Sequence, residues 1–264
     1  MDRPASDLPH ALITGGGTGI GAAIAHALAA SGHKISLMGR REAPLRAVAE
    51  KLTGQFQSSG KPAFIVTGDV TDPQSVAAAF AAARAAHGPL SVLICNAGAA
   101  ASGRFEAQGF DIWRQMMAVN LDALHHCAQA ALPDLKAAQN GRLIAIASTA
   151  GLKGYAYTAA YCAAKHGAIG LVRALAQEVA RTRLTVNAIC PGFTETEIVA
   201  DALQNIMART GRSEADARAE LAKFNPQGRL ITPAEVADAV AWLCAPGSSA
   251  INGQAIAVAG GEIT

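Results

Sequence analysis

The sequence predicts an α/β fold, a doubly wound seven-stranded parallel sheet with helices on both faces, in a single domain spanning residues 1–264. Short apolar runs alternate with alanine-rich helical stretches from end to end, and that alternation builds right-handed crossover units. The runs are also apolar at successive positions, as in parallel strands covered on both sides, rather than alternating in and out. The first strand, 11–14, feeds a glycine-rich turn and a helix over 19–30. Strand 35–38 precedes a helix over 43–58, and strand 63–67 precedes a helix over 73–86. That third helix has a clear start in Thr71-Asp72-Pro73, a capping side chain just before proline. Strand 90–95 leads to one long helix over 110–135, and strand 141–147 leads to another over 158–181. Strand 184–189 is followed by the one departure from the pattern, a polar, helix-prone insertion over 194–225. Excursions of that length in compact domains are usually lids or binding loops. Thr232-Pro233 then starts a helix over 233–243, and 254–258 is the seventh strand.

Composition narrows the function. Of 264 residues, 51% are hydrophobic, enough to bury a large core and exclude a disordered chain. The formal net charge of +2, with only 22 Lys plus Arg, lacks the basic stripe of a nucleic-acid binder. No apolar run approaches the ~20 residues of a membrane helix, so no membrane partner is expected. The first ten residues lack the apolar stretch of a signal peptide and read as a short tail. Five widely spaced cysteines with no C-x-x-C pair read as small buried hydrophobes of a reducing, cytoplasmic compartment. His125-His126 lack a third ligand at a plausible spacing, so no metal site is expected.

The motif Thr14-Gly15-Gly16-Gly17-Thr18-Gly19-Ile20-Gly21 joins the first strand to the first helix. Glycines at 15, 19 and 21 allow a tight turn, close approach of a pyrophosphate and packing of helix on sheet. The helix N-terminus offers free N–H groups and the positive end of its dipole to phosphates. The spacing is G-x-x-x-G-x-G; Ile20 stands where the commoner G-x-G-x-x-G would need its third glycine.

Further along come Asp69-Val70 after the third strand, Asn96-Ala97-Gly98 ending the fourth, and Asn120 in the long fourth helix. Ser148 follows strand five, Tyr161 and Lys165 stand in Tyr-Cys-Ala-Ala-Lys, and Pro191-Gly192 with Thr194 follows strand six. In order and spacing this set resembles the short-chain dehydrogenase/reductase family, over nearly the whole chain from Ala11 to Gly261. The resemblance implies a Rossmann fold and an NAD(P)-dependent oxidoreductase interconverting a secondary alcohol and a ketone. It assigns catalysis to Asn120, Ser148, Tyr161 and Lys165. Tyr161 and Lys165, four apart, share a helix face, so the lysine is expected to lower the tyrosine pKa and make it the general acid/base. Ser148 would polarise the substrate oxygen. Lys165 would also hold the nicotinamide ribose, and Asn120 would position a water linking Lys165 to solvent.

The cofactor set implied is Gly15, Gly17, Thr18, Gly19, Ile20, Asp69, Val70, Asn96, Ala97, Gly98, Tyr161, Lys165, Pro191, Gly192 and Thr194. Asp69 would take the adenine edge, and Asn96 would combine a wall of this site with bonds between strands. Strand two ends Gly39-Arg40-Arg41, without the carboxylate that usually receives an NAD ribose. Arg40 and Arg41 therefore predict a preference for NADP(H) over NAD(H), through pairing with a 2′-phosphate. Tyr155, Tyr157 and Phe193 are candidate substrate walls. Trp113 and Trp242 read as core or subunit contacts, and Gly260-Gly261 as a structural turn. The two longest helices carry apolar residues on more than one face, and the resemblance implies a homotetramer built on them.

Pro-Gly-Phe-x-Glu-Thr at 191–196 and the Ala-Val-Ala-Gly-Gly ending look most like reductases of 3-oxoacyl thioesters and polyketides. Arg209, Arg212 and Lys223 in the insertion could meet the phosphates of an acyl-CoA or carrier arm. They could equally belong to a solvated lid helix with internal ion pairs. A small cyclic or aromatic ketone stays open as the substrate, as does a non-catalytic nucleotide sensor on the same fold.

Overall fold

The computed structural model describes residues 8–55 and 63–263. Seven strands form one parallel sheet in the order β3-β2-β1-β4-β5-β6-β7. They are β1 (His10–Thr14), β2 (Lys34–Gly39), β3 (Phe64–Thr67), β4 (Val92–Cys95), β5 (Arg142–Ile146), β6 (Thr185–Pro191) and β7 (Ala255–Val258). The order reverses between β1 and β4, and a doubly wound sheet opens its ligand crevice at such a switch point, beyond the strand C-termini.

Alternation along β1 shows why both faces need cover. Leu12 enters a core with α3 (Pro73–His87), α5 (Ala123–Ala137) and α6 (Ala159–Glu178). Ala11 and Ile13 enter the opposite core with α1 (Gly19–Ala30), α2 (Glu42–Gln55) and α9 (Pro233–Cys244). Both predicted capping signals operate. Asp72 accepts from the Gln74 N–H at 2.9 Å, and Thr232 forms a reciprocal box with Glu235. Residues 56–58 of the expected second helix lie outside the described residues, as does most of the N-terminal tail.

The expected single helix over 110–135 is corrected. It is α4 (Phe110–Met117), a π-helical turn over Ala118–Asp122, and then α5. Asn120 supplies the reason. Its Nδ2 donates to the Met116 carbonyl at 3.1 Å and to the Ala99 carbonyl at 2.9 Å, drawing the chain out of α register toward the loop after β4. The insertion folds as α7 (Glu197–Thr210) and α8 (Glu214–Ala222), with its own small cluster of Val199, Leu203, Ala217, Leu221 and Leu230. Neither tryptophan is in the core: Trp113 on α4 and Trp242 on α9 are exposed.

Candidate active site

The glycine turn is pinned before any ligand arrives. The Gly15 N–H donates to the Met38 carbonyl, and Asn96 Nδ2 donates to the carbonyls of Thr14 (3.0 Å) and Gly15 (3.1 Å). Thr14 Oγ1 accepts from the N–H groups of Asn96 and Ala97. Asn96 thus does the strand-bonding part of what the sequence suggested. Gly15 holds a left-handed φ of 64°, and a Cβ on Gly21 would lie 2.2 Å from the Gly15 carbonyl oxygen. Thr18 stands at the N-cap of α1 without a side-chain cap, and the first turn carries no acidic residue. The helix therefore presents open N–H donors over a turn stripped of Cβ atoms, which suits the pyrophosphate of a dinucleotide.

The flanks are partly engaged. Asp69 accepts from the Thr71 N–H (2.9 Å) and hydroxyl (2.8 Å), and these bonds, aided by Arg40, hold its carboxyl below the usual range. Arg41 pairs with Glu197 of α7 at 3.1 Å, both exposed. Thr194 is buried and donates to the Gly192 carbonyl at 2.9 Å. A Cβ on Gly19 would come within 3.1 Å of Thr196 Cγ2, so the start of the insertion lies against the glycine turn.

Beyond the ends of β4 and β5 stand the other candidates. Lys165 is buried, with Nζ donating to the Ile146 carbonyl at 2.9 Å and lying 5.7 Å from the Tyr161 ring centroid. Asn120 and Lys165 both line a small cavity of about 10 Å³, room for about one water molecule. Ser148 caps a 3-10 turn, its hydroxyl accepting from the Ala150 N–H at 3.1 Å. Burial pushes the Tyr161 phenol above its ordinary value, opposed by the Ser148 hydroxyl. The lowering expected from Lys165 does not outweigh that burial. The lysine ammonium is turned to the Ile146 carbonyl, and its own desolvation brings its pKa down to about 8.

Tyr155 and Phe193 stack edge to face at 6.0 Å, and both pack on Phe224, which follows α8. Tyr157 is instead exposed, in a left-handed backbone at φ 68°, its carbonyl accepting from the Gly103 N–H. The insertion's cations are taken up locally. Arg212 and Lys223 both pair with Glu220, and Arg218 pairs with Glu195; the side chain of Arg209 lies outside the described residues. Sequence reasoning missed Lys153 and Glu262. Glu262 accepts from the Tyr155 hydroxyl, 107 residues away in the chain, and pairs with Lys153 at 3.1 Å, contacts that no local motif announces. Among the described residues no cluster of metal-ligating side chains occurs, and no helix is long and apolar enough to cross a membrane.

A family model described as short chain dehydrogenase matches residues 9–206. The chain belongs to the short-chain dehydrogenase family and is an NAD(P)-dependent oxidoreductase of that family. It is 34% identical over 250 residues to the 3-oxoacyl-[acyl-carrier-protein] reductase MabA of Mycobacterium tuberculosis, covering 95% of this chain and 91% of that protein. It is 35% identical over 253 residues to a cis-4-hydroxycyclohexanecarboxylate dehydrogenase of Sinomonas cyclohexanicum, covering 95% of each. Among solved structures, a variant of actinorhodin polyketide ketoreductase with NADPH superposes at a TM-score of 0.90. That match has 34% identity and covers 97% of this chain and 98% of the other.

Proposed function

We propose that the protein is an NADPH-preferring ketoreductase in which Tyr161 donates the proton to the carbonyl oxygen. The observation that carries this is the meeting of Ser148, Tyr161 and buried Lys165 beyond β5, beside the pinned glycine turn. Burial keeps the Tyr161 phenol in its protonated form at neutral pH, the form that a proton donor to the carbonyl oxygen requires. In the reverse direction Tyr161 must first lose that proton, so alcohol oxidation is expected to rise with pH. Ser148 hydrogen-bonds the same substrate oxygen, and Asn120 with Lys165 returns a proton to Tyr161 through water in their shared cavity. The nicotinamide, when bound, supplies or accepts the hydride. Gly15, Gly17, Thr18, Gly19 and Ile20 take its pyrophosphate, and Asp69, Val70, Asn96, Ala97 and Gly98 flank its adenosine side. Lys165 holds the nicotinamide ribose, with Pro191, Gly192 and Thr194 against the ring. Arg40 is the group for a 2′-phosphate, joined by Arg41 once Glu197 releases it. Comparing kcat/KM for NADPH and NADH tests this, and a clear advantage for NADH would overturn the preference.

For the substrate, a small cyclic or aromatic ketone is favoured by the wall of Tyr155, Phe193 and Phe224, with α7 and α8 as the lid above it. The ion-paired state of Arg212, Arg218 and Lys223 leaves little for the phosphates of an acyl thioester. The likeness to MabA supports the thioester as the second reading. Measuring kcat/KM for acetoacetyl-CoA against the free ketone of matching size decides between them. Phe110 and Trp113 on α4 and Trp242 on α9, all exposed, support a homotetramer, testable by light scattering. The five buried free cysteines suit a cytoplasmic setting.

A further inference from the structure

The least expected charge in the molecule belongs to Glu262, two residues before the last residue of the sequence. Glu262 has a side chain only 2% exposed, and its two donors, the Tyr155 hydroxyl and Lys153 Nζ, both go to Oε1. Oε2 is buried without a hydrogen-bond partner. It lies 3.0 Å from where a Cβ on Gly192 would stand, so the oxygen borders the turn after β6 that the reading above gives to the nicotinamide. Through Tyr155 the same carboxylate reaches Thr149, whose hydroxyl donates to that of Tyr155 at 2.7 Å and which directly follows Ser148. A buried carboxylate oxygen lacking a donor is costly to maintain, and such a group calls for a ligand that completes it.

The surroundings decide which ligand. Tyr155, which donates to Glu262, packs its ring on Phe193 and Phe224, so the wall beside the carboxylate is aromatic and suits a donor carried on an apolar body. Lys153 already neutralises the carboxylate, which removes most of the advantage a cationic group would have. A carboxylate or phosphate offers no donor and would meet Glu262 as a like charge. What remains is a neutral donor, and on a ketone substrate a hydroxyl is the simplest one.

We propose that Glu262 is a specificity-determining residue that accepts, through Oε2, a hydrogen bond from a hydroxyl carried by the ketone substrate away from its reacting carbonyl. This deepens the proposed function and rests on it. The substrate class is then a hydroxylated ketone with an apolar, ring-sized frame.

The test compares kcat/KM for cyclohexanone with that for 3-hydroxycyclohexanone and 4-hydroxycyclohexanone, in the native protein, Glu262→Gln and Glu262→Ala. At least one hydroxyketone is expected to be preferred about tenfold by the native protein, the scale of a hydrogen bond to a charged group. Glu262→Gln, which keeps a neutral acceptor, is expected to retain part of that preference, and Glu262→Ala to lose it. If Glu262→Ala does not fold, the fall in Glu262→Gln decides. Equal use of all three ketones by the native protein, or an undiminished preference in the folded variants, overturns the assignment of Glu262 while leaving the ketoreductase reading intact. No reduction of any ketone in the panel overturns both.

Discussion

The two ends of the sheet handle buried polar groups in opposite ways. At the N-terminal ends of the strands, Arg142 is fully buried and spends its guanidinium on three carbonyls, those of Gly141, Leu243 and Ala245. There it closes the C-terminus of α9, whose last carbonyls have no partner within the helix. On the same side, His10 Nδ1–H donates to the Gly88 carbonyl at 2.8 Å while Nε2 accepts from the Ser36 hydroxyl at 2.8 Å, which fixes a neutral tautomer. At the C-terminal ends, α1 starts without a cap, Lys165 is buried with a depressed pKa, and Glu262 keeps one oxygen unpaired. One end uses Arg142 and His10 to hold the fold together, and the buried oxygen it leaves without a partner is the uncharged hydroxyl of Thr185. The other keeps its polar groups short of partners, at a cost in stability, and that shortage is what a ligand can complete.

Substitution at the open end should therefore cost activity more than stability. Lys165→Met is expected to lower turnover by about 100-fold or more, the usual scale for losing a proton-transfer group. The same variant is expected to melt higher at pH 7. With its pKa down at about 8, the native Lys165 binds fewer protons than the unfolded chain does between pH 8 and its ordinary value of 10.5. The native protein gains stability as pH rises through that window, so the advantage of the variant should shrink there. A variant that melts lower at pH 7 would break the comparison.

At the closed end the signs reverse. Arg142→Leu removes three guanidinium hydrogen bonds from a fully buried site, whose carbonyls keep donors from Thr185 and Ser248, and is expected to cost about 1–3 kcal/mol in denaturant unfolding while kcat stays close to native. His10 gives the pH signature of the same end. Burial brings its pKa down to about 4 from 6.5, so protonation favours the unfolded chain. Stability should be fully present above pH 6.5 and fall by up to about 3 kcal/mol as pH drops to 4. His10→Gln should flatten that slope. The smallest effect belongs to the insertion, where the exposed Arg218–Glu195 pair joins α8 to the loop before α7. Glu195→Gln is expected to change stability by about 0.2–1 kcal/mol, and less at high salt.

These differences track what the sequence made legible. The glycine turn and the capped starts of α3 and α9 are local devices, written within a few residues of where they act. The sheet followed from them because strand and helix alternate. Ser148, Tyr161 and Lys165 were proposed from the family resemblance, with the four-residue spacing adding only that Tyr161 and Lys165 share a helix face. The π-helical turn at Asn120 was not, since no glycine or proline marks it; it is set by a bond to Ala99 from the loop after β4. The partner of Lys165 was not legible, because a four-residue spacing fixes which face the lysine occupies but not which oxygen its ammonium meets, here the Ile146 carbonyl. Glu262 escaped for a similar reason: its partners come from the segment between Ser148 and Tyr161, far off in the chain.

The most direct test of the open end as a site of proton donation is Tyr161→Phe, with turnover and NADPH affinity measured on the same preparation. A loss of about 100-fold or more in kcat, with cofactor affinity retained, is the predicted result. Near-native turnover without the phenolic proton would contradict the account.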